Sequence, residues 1–263
     1  MRLGLGIGIS RLQRATGGSP PPAFTPADVF TTGIDGIWSS RITTADLWQD
    51  VARTTPVTAA GDPVGSWRVN LSSGVTYLQQ GTAGLRPIYR VNGSGAGYLE
   101  FDGTDDFLDS VGTFPTPSGT QESTMMAAVD IDGSFVDNGG IVAYRPVLTS
   151  FFTHRYLSMS VSGQVKADTA GAGAAALGPT MPTTFCVPEA RFETQTSAAL
   201  NGGAFTTITP GTATNTAANQ TFRVGRALAG TAMKIYGVLH VVKTITAGER
   251  ASLVAWLSAL ENP

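Results

Sequence analysis

The sequence has one cysteine, Cys186, and only two histidines, His154 and His240. No disulfide can form within the chain, so no disulfide framework supports the fold. A single cysteine in this setting reads as a small buried hydrophobe. Two histidines exclude a multi-histidine zinc site. They also leave a Ser–His–Asp triad just two candidate bases, neither with a recognisable partner. His154 reads as a polar surface residue and His240, on an alternating strand, as half-buried. Charge is scarce as well: charged residues make up 14% of the chain, and the net charge is −2. No basic run occurs, which argues against a nucleic-acid footprint. No apolar stretch approaches the ~20 residues of a membrane span, so membrane insertion is not expected. The opening "MRLGLGIGIS" has an apolar run of only about seven residues and no A-x-A cleavage site; it reads as retained structure.

What is abundant is glycine (32) and proline (15), with frequent Ser and Thr. That is the composition of many short strands joined by turns. Leu3, Leu5, Ile7 and Ile9 alternate with glycines, a period-two strand with one bare face that permits close approach of another backbone. Residues 1–16 are therefore read as a docking arm for a partner chain. Residues 17–32, with Gly17-Gly18 and Pro20 to Pro22, form a flexible-to-extended linker. Residues 33–263 form the globular body. In it, "GIDGIWSS" reads as a first strand, Gly61-Asp62-Pro63 as a turn, and Asn201-Gly202 as a hairpin signal. "GAGAAALG" (171–178) reads as a loop. Near the C-terminus, Thr246 and Glu249 form a capping box. Leu253, Val254, Trp256, Leu257 and Leu260 follow at helical spacing. The expectation is one amphipathic helix of about fourteen residues, with Trp256 in the core.

The stretch "YLEFDGTDDFLDS" (98–110) carries Glu100, Asp102 and Asp105 as E-x-D-x-x-D, similar to the E-x-D-x-x-E strand of laminarinase-type β-glucanases. A retaining glycosidase needs two carboxyls about 5–5.5 Å apart across one bond. Glu100 and Asp102 share a strand face, with Leu99 and Phe101 on the other. The third acid, however, falls beyond Gly103, where the chain turns. The stretch reads as a structural hairpin, and the chain as a non-enzyme. Asp102, Asp105 and Asp106 also supply the oxygens a hard cation wants, which makes Ca2+ the one cofactor to weigh against simple turn hydrogen bonding.

"FDGTDDFL" (101–108) and "IYGVLHVVKTITAGERASLVAWL" (235–257) resemble the concanavalin A-like, laminin-G-type jelly-roll domains. In that family a last strand with "I-Y-G" leads through "L-T-x-x-E" into a short closing helix; here Ile245 stands for the Leu. The resemblance implies an all-β jelly-roll β-sandwich with one short C-terminal helix behind an extended N-terminal arm. "LWQDVARTTPVTAAGDPVGSW" (47–67), "LRPIYR" (85–90) and the "PPAFTPAD" linker look like a phage and prophage subset, similar also to gene transfer agent proteins. That subset usually carries "D-x-S-G" after the "DPVG" strand; this chain has "RVNLSSG" (68–74), with Asn70 or Leu71 replacing the acid.

The resemblance implies a virion component, a spike, fibre or decoration, made in the bacterial cytoplasm and assembled on the particle exterior. Its arm would dock on other virion proteins, and its sandwich would contact host cell-surface polysaccharide as a homo-oligomer. The carbohydrate-binding candidates are Trp38, Trp48, Trp67, Tyr144, Arg145, Arg155 and Tyr156, because aromatic faces stack on sugars; each competes with a core role. Two alternatives stand beside this: a purely structural decoration protein with no ligand, and a glycan-degrading enzyme.

Overall fold

The computed structural model describes residues 24–30, 36–112, 122–132, 135–146, 155–169, 175–193, 195–208, 220–226 and 229–262. The arm, with Leu3, Leu5, Ile7 and Ile9, lies outside the described residues, as do most of the linker and His154.

The strands are β1 (Gly36–Trp38), β2 (Leu47–Trp48), β3 (Ser66–Leu71), β4 (Gly74–Gln79), β5 (Ile88–Val91), β6 (Gly97–Asp102) and β7 (Phe107–Ser110). They continue as β8 (Ser123–Ile131), β9 (Gly139–Pro146), β10 (Arg155–Met159), β11 (Gln164–Thr169) and β12 (Ala176–Thr180). The last are β13 (Pro188–Phe192), β14 (Thr196–Leu200), β15 (Thr206–Ile208), β16 (Gln220–Gly225) and β17 (Ala232–Val241), followed by the helix α1 (Ala247–Ser258). All the strand pairings are antiparallel, and they sort into two sheets. One runs β5-β6-β17-β8-β13-β14-β15. The other runs β12-β11-β10-β9-β16-β7-β4-β3-β2. β1 pairs with both β17 and β3 and so joins the sheets along one side. This is the jelly-roll sandwich the sequence implies.

Burial explains the strand sequences. β8, "STMMAAVDI", is apolar on both faces because both are covered. Met125, Ala127, Val129 and Ile131 enter the core between the sheets, and Met126 and Ala128 face α1. β6 alternates as read: Leu99 and Phe101 point into the core while Tyr98 packs on the helix side. Cys186 is buried, and burial pushes its thiol up to about 12, as expected of a small hydrophobe.

Thr246 caps α1: its hydroxyl accepts from Glu249 N–H, and the Glu249 carboxylate accepts from Thr246 N–H at 2.7 Å. Leu253, Val254, Leu257 and Leu260 then seat on the first sheet beside Tyr236 and Leu239, with Trp256 half-buried at the margin rather than inside. Three further expectations are corrected. Residues 98–110 are not a hairpin: β6 belongs to one sheet and β7 to the other, so Gly103 to Asp106 form an arch between layers. Residues 176–178 of the expected 171–178 loop belong to β12, a strand against β11. His240 is fully buried, not half-buried, because β17 is central and covered on both faces.

Candidate functional site

The outer face of the second sheet carries no covering helix among the described residues. Its residues follow from alternation: Trp67, Val69, Leu78, Leu108, Phe222 and Val224 face inward. Their neighbours therefore face out. Register places a row of direct cross-strand partners across this face: Asp168, Tyr156, Ala143, Arg223, Asp109, Gln79, Ser66 and Trp48. Polar residues dominate that row.

Its aromatic end lies at β2, β3 and β4. Trp48 meets Tyr77 edge-on with ring centroids 5.8 Å apart, and both rings are half-exposed. The Arg53 guanidinium stacks over the Tyr77 ring at 4.2 Å. Arg68, the cross-strand partner of Tyr77, reaches Asp46 at only 3.4 Å and remains 45% exposed. Gln79 binds Val51 O and Ser66 Oγ at 2.8 and 3.0 Å, which fixes it beside the rings. Arg53 sits at φ 60°, in the left-handed region. The Asp50 carboxylate holds that turn by accepting from Thr54 and Thr55 N–H at 3.0 and 2.8 Å. Hydrogen bonding from the Thr55 side chain first, and then from Thr54 N–H, holds Asp50 well below the usual carboxylate range. Further along the face, Arg223 clasps Asp109 through both Nε and Nη2 and lies 3.7 Å over the Phe107 ring. Half-exposed aromatic rings flanked by fixed hydrogen-bonding groups are what stacking on a sugar requires.

The seven sugar-binding candidates divide. Trp48 and Tyr156 lie on this face, Tyr156 at 5% exposure. Arg145 is on β9 opposite Thr221, and its side chain lies outside the described residues. Trp67 and Tyr144 are core residues at 1% and 0% exposure, so neither presents a ring to solvent. Arg155 also points inward, between the sheets, where its Nη1 donates to Ser123 Oγ at 2.6 Å. Trp38 stacks on Phe30 at 4.3 Å and packs on the helix side. Tyr77, Arg53, Phe107 and Arg223 were not singled out from sequence. The alternation of "VTYLQ" puts Tyr77 and Gln79 opposite Leu78, but only register joins them to Trp48.

The acids of the 98–110 stretch serve the arch. Glu100 pairs with Arg90 at 2.8 Å. Asp102 accepts from Thr104 N–H at 2.7 Å, and Asp106 accepts from Asp102 N–H at 3.0 Å. The ligand oxygens of Asp102, Asp105 and Asp106 lie within 4.8 Å of one another, a spacing that admits a hard cation. Asp106 is 8% exposed, and burial pushes its carboxyl up to about 6, with the Asp102 and Asp105 charges adding.

No family model matches the chain, and no curated protein matches it. Solved structures do. The Trypanosoma rangeli sialidase overlays 89% of this chain at 12% identity and a TM-score of 0.55, using 34% of its own length. Its complex with sialic acid overlays 89% at 13% identity and 0.53, again over 34% of its length. The sandwich is similar to part of a sialidase. This chain spans about a third of the sialidase's length, and at this identity the likeness is one of fold. It corrects the reading of the chain as a non-enzyme: the protein that shares its sandwich is a glycosidase, so the fold gives no ground for setting catalysis aside. The virion part of the resemblance rests on the sequence alone.

Proposed function

We propose that the sandwich is a glycan-binding unit whose sugar platform is the Trp48–Tyr77 end of the outer sheet face. The observation that carries this is the half-exposed aromatic pair, with Arg53 stacked on Tyr77 and Arg68 and Gln79 beside it. A sugar ring stacks on the Trp48 indole, and the flanking groups bind its hydroxyls. The likeness to a sialidase, whose structure is known with sialic acid, agrees with a saccharide ligand. We place the unit on a virion, where the 1–16 arm holds it to other virion proteins and repeated copies bind host-surface polysaccharide. The sequence resemblance and the alternating Leu3–Ile9 strand support that placement.

The test is a pull-down and calorimetric titration of the full chain with host-envelope polysaccharide, comparing wild type with Trp48→Ala. Base-stacking losses elsewhere are about 1–3 kcal/mol per aromatic removed, and a comparable loss here weakens binding by roughly 5–150-fold at unchanged Tm. Released reducing ends are measured in the same incubations. Equal binding by Trp48→Ala would move the site off this face.

A further inference from the structure

Arg155 is 5% exposed, and none of the ion pairs among the described residues includes it. Among the described residues its Nη1 donates to Ser123 Oγ, and its Nε has no partner. Its guanidinium lies 5.4 Å from the Phe192 ring centre. His240 is fully buried nearby, 4.5 Å from the Tyr144 ring, and neither of its ring nitrogens has a partner. Thr169, the direct cross-strand partner of Arg155, has a hydroxyl that is likewise buried and unsatisfied. These groups converge at one end of the sandwich. Ser123 opens β8, Arg155 opens β10, Thr169 closes β11 and Phe192 closes β13.

A buried cation without a counter-charge is costly, and unsatisfied buried donors are rare enough to need a cause. Burial lowers Arg155 only to about 10, so it stays charged at neutral pH. His240 cannot be the counter-charge; burial first, and then the Arg155 charge, hold it neutral. What this set lacks is a negative group. We propose that this strand-end cluster binds a small monovalent anion of the carboxylate class, received by Arg155 with Ser123, Thr169 and His240 as further partners. It is a second site, between the sheets, and does not depend on the outer-face platform.

The carboxylate arrives either as a free anion or on an acidic sugar. The test follows Tm of wild type, Arg155→Gln and Ser123→Ala in acetate, glucuronate and glucose at constant ionic strength. Wild type at tenfold excess over Kd is expected to gain roughly 3–6 °C, with no gain in Arg155→Gln and a reduced one in Ser123→Ala. Saturation by glucuronate well below acetate identifies the sugar as the source; equal saturation identifies the free anion. A bromide-soaked crystal of wild type is expected to show an anomalous peak against the Arg155 guanidinium, and decides alone if Arg155→Gln does not fold. Equal anion shifts in wild type and Arg155→Gln, or no bromide at Arg155, overturn the proposal.

Discussion

At the scale of single residues, Asp106 has the most to say. It sits under the arch between β6 and β7, buried, with the Asp102 and Asp105 carboxylates beside it. Its folded pKa of about 6 lies above the ordinary 3.8. Between those values the folded chain holds a proton that the unfolded chain has released, so stability falls as pH rises through the window. Asparagine keeps an oxygen to accept from Asp102 N–H and removes the charge. Asp106→Asn is therefore expected to raise stability at pH 7.5 by about 1–2 kcal/mol, with the gain vanishing near pH 4. Urea midpoints at the two pH values check this; a gain of equal size at both would show that the carboxylate's charge is not the cause. Calcium provides a second reading of the same pair. A cation held by the three acids would stabilise wild type at pH 7.5 and leave Asp106→Asn unmoved.

At the scale of elements, α1 is held to the sandwich by more than its apolar face. Glu189 on β13 is completely buried and takes Arg250 through Nε at 2.7 Å and Nη2 at 3.0 Å, and it also accepts from Gly202 N–H at 2.8 Å. Removing the acid strands a guanidinium in a half-buried place. Glu189→Ala is expected to cost about 2–4 kcal/mol by denaturant unfolding, reduced from the full buried-pair figure because Arg250 keeps some solvent. A loss no larger than that of a surface pair would mean the apolar contacts alone seat the helix. The helix itself was legible: its capping box and 3.6-residue repeat are local signals, and local signals survive in sequence. The alternation of β6 was legible for the same reason. Partnership was not. Residues 98–110 carry two strands and a turn, which describes a hairpin and an arch equally well; only the strands' pairing with β17 and β16 decides. The same limit governs the site. Trp48 and Trp67 look alike in sequence, yet one faces solvent and the other the core, because a strand's inner face is set by what stacks on it.

At the scale of the molecule, the sheets are joined by β1 and by the β6–β7 arch, and β17 pairs with β1, β6 and β8 at once. Few of these contacts are local, so the sandwich is expected to fold and unfold as one cooperative unit. The proposed arm, residues 1–16, would contribute through another route. A strand of alternating Leu, Ile and Gly has little to gain alone in water, whereas pairing with a partner's exposed edge satisfies its backbone and buries its aliphatic face. Deleting residues 1–18 is therefore expected to leave Tm and monovalent glycan affinity unchanged. Attachment of the full assembly to cells should fall much further, by about 10²–10⁴, because that is the range avidity adds when weak sites act together. The comparison requires three measurements on one deletion: thermal unfolding, affinity for a single oligosaccharide, and cell binding of the assembled particle. A lower Tm would make residues 1–18 part of the sandwich. Unchanged cell binding would mean that the copies are gathered by contacts within the body, and the exposed sheet edges at β5, β12 and β15 would be the next surfaces to mutate.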